Sequence, residues 1–183
     1  MILEITLPAE LTKAAESLET RLQLLRVPTR KVSLAEWNST PVAIHPLIPR
    51  WIPSLLANFS LLGSVLECQH NEAERAWPRC FCFWGPAEYT RNLSGNSSYC
   101  FKDEFIADGL VMISDESDGD MWLASIEDPS SPIYLYSITW QERFFASSRI
   151  SLLMASMAVS PESFTSFGKS EQPQSVMWLS ERK

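Results

Sequence analysis

Four carboxylates crowd one short stretch of this chain: Asp115, Glu116, Asp118 and Asp120 all stand within Ser114-Asp-Glu-Ser-Asp-Gly-Asp120. Side chains of this type and spacing either hold a hard cation through oxygen or face a cationic partner. The calcium-loop pattern fails at its closing position, because the twelfth residue counted from Asp115 is Ile126 where such a loop carries Glu. An acidic turn that meets water or a basic surface is the stronger reading. Thiols and imidazoles form the second group. Cys68-Gln-His70 and Cys80-Phe-Cys82 carry zinc-ligand types, but a single residue separates each pair and no Cys-x-x-Cys accompanies them. Buried thiols in a two-faced strand account for the same pattern. His45 and His70 are the only histidines. A Cys-His nucleophile pair would need one of them against a thiol in space, and His45 precedes Pro46 in what reads as a connector. The chain has no Gly-rich phosphate loop, Gly-x-Ser-x-Gly elbow or His-Glu-x-x-His. The expectation is a protein without catalytic residues, metal or cofactor.

The elements around the carboxylates follow from periodicity. Leu110-Val-Met-Ile113 and Met121-Trp-Leu-Ala124 are apolar runs flanking the acidic turn, and Asp128-Pro-Ser-Ser-Pro-Ile-Tyr-Leu-Tyr136 adds a turn and a third run rich in β-branched and aromatic residues. An antiparallel meander with a charged tip is the result. Strands are predicted over 64–68, 80–84, 110–114, 121–126 and 133–137. Upstream, Leu11, Ala15, Leu18, Leu22 and Leu25 recur at helical spacing, which predicts a helix over 11–26 with Thr12 as cap and Pro28 as stop. Residues 32–46 read as an extended connector. A second helix contains Ile52, Leu55, Leu56 and Phe59, tolerates Pro53 only near its start, and exits at Gly63. Residues 85–102 read as a long loop, in which Tyr89, with Trp84 just before it, is a candidate aromatic anchor for a partner. Ile150, Leu153, Met154 and Met157 define a closing helix that Ser147 could cap. The stretch 160–183 is rich in Ser, Pro and Gln, with Val176-Met-Trp-Leu179 as its one apolar segment.

Composition restricts the function class. A chain of 183 residues with 45% hydrophobic and 20% charged residues is globular, and one domain of that size buries about 70% of its unfolded surface without covalent staples. No run reaches the roughly 20 apolar residues needed to span a bilayer, and the first residues lack a basic flank and a signal-like core. A cytoplasmic protein with reduced Cys68, Cys80, Cys82 and Cys100 and no membrane contact is expected. The Asn-x-Ser/Thr matches at Asn38, Asn58, Asn92 and Asn96 are then incidental. The net charge of −7 disfavours direct nucleic-acid binding and favours basic protein partners.

Taken in order, Ile48-Pro-Arg-Trp-Ile-Pro-Ser-Leu-Leu56, Leu61-Leu-Gly63, Leu110-Val-Met-Ile-Ser114, the acidic turn into Gly119-Asp-Met-Trp122, Ser131-Pro-Ile-Tyr134 and the closing amphipathic helix resemble the SUKH superfamily. That superfamily contains immunity proteins of bacterial toxin systems and yeast cell-wall synthesis regulators. The resemblance implies an α+β domain over 46–159, with a mixed, mainly antiparallel sheet and helices packed on it. It would be preceded by a helix and connector in 1–45 and followed by the tail. It also implies a protein that binds another protein: a cognate toxin, possible nuclease toxins included, or, as the alternative, a host partner of a regulatory scaffold. A small metal-dependent hydrolase is the weakest alternative. The residues expected to meet the partner are Asp115, Glu116, Asp118, Asp120, Tyr89 and Trp84.

Overall fold

The computed structural model describes residues 1–70, 77–93, 103–115, 119–139 and 141–159. Six α-helices and six strands follow one another as α1 (Ala9–Leu24), α2 (Leu34–Asn38), a 3-10 helix (Val42–Leu47), α3 (Trp51–Asn58), β1 (Leu66–His70), β2 (Trp77–Phe81), α4 (Pro86–Leu93), α5 (Asp103–Ala107), β3 (Leu110–Asp115), β4 (Met121–Ser125), β5 (Ile133–Ser137), β6 (Glu142–Ser147) and α6 (Ile150–Val159) among the described residues. The fold is α+β. β1 and β2 form a hairpin, β3-β4-β5-β6 form a four-stranded meander, and every strand pairing among the described residues is antiparallel.

The apolar runs of the meander do not alternate with polar residues because both faces of the sheet are covered. Leu110 to Ile113 and Met121 to Ala124 are all buried. Trp122 pairs with Leu135, and on that face its ring meets Phe81 edge-on at 5.4 Å while its indole N–H donates to the Cys80 carbonyl at 3.0 Å. The hairpin is thereby fastened to the sheet. Tyr136, one residue further along β5, takes the other face and meets Phe105 of α5 at 5.0 Å. Ile52, Leu55, Leu56, Val111, Ile113, Trp122, Leu135, Leu153 and Met157 are all buried.

α1 joins this same core rather than standing apart as an appendage. Leu11, Ala14, Ala15, Leu18 and Leu22 form its buried stripe, and it packs on α6, whose Ile150, Leu153, Met154 and Met157 are buried. Glu10 of α1 pairs with Arg149, the residue just before α6. α1 starts earlier than its sequence suggests: Pro8 precedes the first turn, and Thr12 lies inside, its hydroxyl donating back to the Pro8 carbonyl at 3.2 Å. It also stops before Pro28. Arg26 adopts φ 56°, its N–H donates to Gln23, and the Val27 N–H reaches back to Leu22, each at 3.0 Å. This is the Schellman termination, with arginine in the left-handed place that glycine usually fills.

The expected connector over 32–46 is shorter and more ordered. Ser33 accepts from the Glu36 N–H at 3.2 Å and the Glu36 carboxylate accepts from the Ser33 N–H at 3.0 Å, a reciprocal cap that starts α2 and buries Trp37. That bond, followed by Arg30, holds the Glu36 carboxyl below its usual range. In α3, Pro53 occupies the first turn, where its missing N–H leaves no bond unmade. The start of α3 is tied to the end of β4 by the Trp51 indole on the Ser125 carbonyl at 3.1 Å and the Arg50 N–H on Ile126 at 2.9 Å. The expected loop over 85–102 holds α4 in its first half; 94–102 and the tail lie outside the described residues. The hydroxyl of Ser147, the residue expected to cap α6, donates to the Arg149 carbonyl at 3.0 Å.

Two substitutions test this packing. Trp122→Ala removes a fully buried ring from the hairpin and sheet interface and should lower unfolding free energy by about 3–5 kcal/mol in a denaturant titration. Arg26→Gly should raise it by about 1 kcal/mol, since glycine takes the left-handed conformation without the Cβ penalty.

Candidate partner-binding surface

The acidic connection leaves the sheet at Asp115, the last residue of β3 and the one exposed position on that strand. A bulge between Met112 and Ser114 shifts the β3 register, pairing Ser114 with Trp122 and Asp115 with Met121. Asp115 has a fixed partner: the Trp84 indole N–H donates to its Oδ1 at 2.8 Å. Trp84 is itself fully buried, tied by its backbone N–H to the Ile113 carbonyl at 3.4 Å and packed edge-on against Tyr89 at 5.3 Å. A core side chain therefore orients a surface carboxylate.

The other expected contact residues divide. Glu116 and Asp118 lie outside the described residues. Asp120 is only 3% exposed, and its Oδ1 accepts from the Ile138 N–H at 2.9 Å, so this carboxylate fastens the β3–β4 connection to the turn after β5 instead of facing a partner. Gly119 beside it has φ 92°, and a Cβ there would stand 3.0 Å from the Ile138 Cδ1. The sequence could not separate Asp120 from its neighbours, because its role comes from a contact 18 residues away. The anchor expectation for Trp84 and Tyr89 needs a correction as well. Both are fully buried, and the Tyr89 hydroxyl donates to the Met112 carbonyl at 3.2 Å while Trp37 packs against its ring at 5.8 Å. The α4 helix explains Tyr89: residues read as a loop form an amphipathic helix beside the 3-10 helix that carries the Tyr89 ring inward to Trp37 and its hydroxyl to Met112.

Cys82 lies next to this end of the sheet. Its N–H donates to the Ser114 hydroxyl at 2.9 Å, and its Sγ is 3.7 Å from the same oxygen. Burial pushes its thiol up, with the Ser114 hydrogen bond opposing and the charges of Asp115 and Glu88 adding to the rise. A thiol held in its neutral form is poorly suited to attack or to metal ligation. Glu88 is engaged at the start of α4, accepting from the Gly85 N–H at 2.9 Å. The hairpin register places Cys68 opposite Arg79 and Cys80 opposite Glu67. Cys100 and the side chains of Cys68 and His70 lie outside the described residues. His45 sits in the 3-10 helix with its Nε2 at 3.1 Å from the Thr40 hydroxyl. Among the described residues no group of three or more His, Cys, Asp or Glu converges in metal-binding fashion, and no helix is long and apolar enough to cross a membrane.

No protein-family model, curated protein or solved structure matches this chain.

Burial raises Tyr89 well above its ordinary value of 10.0, and Cys82 is raised above 9.0. Both groups stay neutral in the fold while the unfolded chain ionises at those ordinary values. Their contribution is complete at neutral pH and is lost as pH rises past them. The melting temperature should fall as pH climbs through 10.0, and Tyr89→Phe should flatten that fall. Parallel curves for the two proteins would remove the phenol as its cause.

Proposed function

We propose that this chain is an immunity protein, a non-catalytic α+β domain that binds and neutralises a cognate bacterial toxin in the cytoplasm through its acidic surface. The observation that carries the reading is the exposed Asp115 carboxylate, held by the Trp84 indole where the acidic sequence leaves the sheet. A carboxylate already fixed in direction loses little freedom on meeting a cation. The net charge of −7 supplies a long-range field of the same sign. A toxin that cleaves nucleic acid has a basic substrate surface of necessity, so an acidic protein can cover it and keep substrate out. The strand and turn order that resembles the SUKH superfamily supports the same conclusion.

The test uses the product of any toxin-like gene found beside the one that encodes this chain. Asp115→Asn, Glu116→Gln and Asp118→Asn together should slow association about tenfold or more at low salt, with unfolding free energy changed by less than about 1 kcal/mol. Asp120 is left in place because it bonds Ile138. The wild-type rate should fall with added salt, and the wild-type chain should rescue growth of cells that express the toxin. Equal rates for the two proteins at low salt would place the contact elsewhere, and absent rescue would end the immunity reading.

A further inference from the structure

On the face of the meander that α5 covers, Phe105 lies against Tyr136, which is level with Met121 and Asp115. The other end of that face is less covered, and Ser125 and Tyr134 are only partly buried there. The register sets Leu110 opposite Ser125, Leu123 opposite Tyr134 and Tyr136 opposite Arg143, so Leu110, Ser125, Tyr134 and Arg143 all share the face of Tyr136. These four residues, with Asp108, Ser131 and Pro132, line a cleft of about 370 Å³. Its size suits a small molecule. It stands at the Leu110 end of β3, the end of the strand away from Asp115.

The polar side chains of the cleft are held in place with bonding capacity to spare. The Arg143 guanidinium lies over the Tyr134 ring at 4.8 Å and donates from Nη1 to Asp108 Oδ2 at 2.7 Å. Those two contacts fix its plane, and among the described residues its other N–H groups and Asp108 Oδ1 have no partner. Ser125 Oγ accepts from the Glu127 and Asp128 N–H groups at 3.2 and 3.1 Å, which leaves its proton to donate. Ser131 gives its proton to Asp128 Oδ2 at 3.1 Å, which leaves its oxygen to accept. The turn that carries Ser131 is closed by the Ser130 N–H on Asp128 Oδ1 at 2.8 Å. Donors on Arg143 and Ser125, acceptors on Asp108 and Ser131, and the apolar Leu110 and Pro132 therefore line one space.

The charges select the ligand. An anion drawn to Arg143 meets the Asp108 carboxylate beside it, and a cation drawn to Asp108 meets the guanidinium. A molecule that carries both charges on one carbon satisfies the pair together. We propose that this cleft binds a free α-amino acid with an apolar side chain, its carboxylate on Arg143 and the Ser125 hydroxyl, its ammonium on Asp108 and Ser131, and its side chain against Leu110 and Pro132. The fixed guanidinium plane suits a carboxylate, and groups already held lose little freedom on binding.

Titration of the isotope-labelled full chain with L-leucine, followed by amide NMR, tests the proposal. Saturable shifts are expected at Leu110, Ser125, Ser131 and Arg143, with a Kd below about 1 mM and with the Asp115 amide unmoved. Isocaproate, which lacks the ammonium, and leucinamide, which lacks the carboxylate, should each bind about tenfold or more weakly. Arg143→Gln should abolish the leucine shifts, and Asp108→Asn should weaken leucine about tenfold while isocaproate binds no worse. The absence of saturation by leucine, valine, methionine and phenylalanine overturns the proposal, as do shifts centred away from the cleft. Isocaproate bound as tightly as leucine would make the cleft a plain carboxylate site and overturn it as well. These outcomes are read on the unaltered chain, so they decide the matter even where a variant does not fold.

Discussion

A sheet whose strands are apolar on both sides has to be covered on both sides, and most of this architecture answers that requirement. β3 and β4 present continuous buried runs, so one layer of helices would leave half of each strand in water. The β1–β2 hairpin covers one face through Phe81 and the Trp122 indole, and α5 brings Phe105 to the other. The chain that leaves β2 then crosses the β3 edge, where Cys82 and Trp84 donate to Ser114 and Ile113. An otherwise open strand edge is closed by the same segment that covers the face.

That crossing links core and surface. Trp84 is buried because the edge must be sealed, and its one polar atom still needs a partner. Asp115 provides it at the first position where β3 meets solvent. The direction of the carboxylate is therefore set by the packing of Trp84, Tyr89 and Trp37 behind it. Asp120, five residues along, is drawn inward by the Ile138 N–H. Two acids in one short acidic stretch thus serve opposite ends, one anchoring the connection and one displayed by it.

How much of this was legible depended on whether the signal was local. The meander was readable because Leu110 to Ile113, Met121 to Ala124 and Ile133 to Ser137 are separated by turn residues, and α1, α3 and α6 because their apolar spacing repeats. β6 was not, since Glu142 to Ser147 mixes charge with a Phe pair and shows neither period. α2 carried a readable sign in Ser33-x-x-Glu36 that the nearby prolines obscured. β1 starts two residues later than expected, and β2 three residues earlier because 82–84, apolar enough for a strand, are used to close the β3 edge. For the site, charge marked the stretch, but only tertiary bonds separate Asp115 from Asp120 or turn Trp84 from a contact into a support.

The pairing of α1 with α6 has a consequence in time. Glu10 and Arg149 are 139 residues apart, so the apolar stripe of the first helix has its cover at the far end of the described chain. During synthesis, Leu11, Leu18 and Leu22 emerge long before Ile150 to Met157 exist. Closing so distant a contact is entropically slow, and the meander, whose strands are neighbours in sequence, can pair while α1 still waits. Among the described helices, α1 is made before the α6 that covers it, and in that interval its leucines are open to chaperones and to other chains.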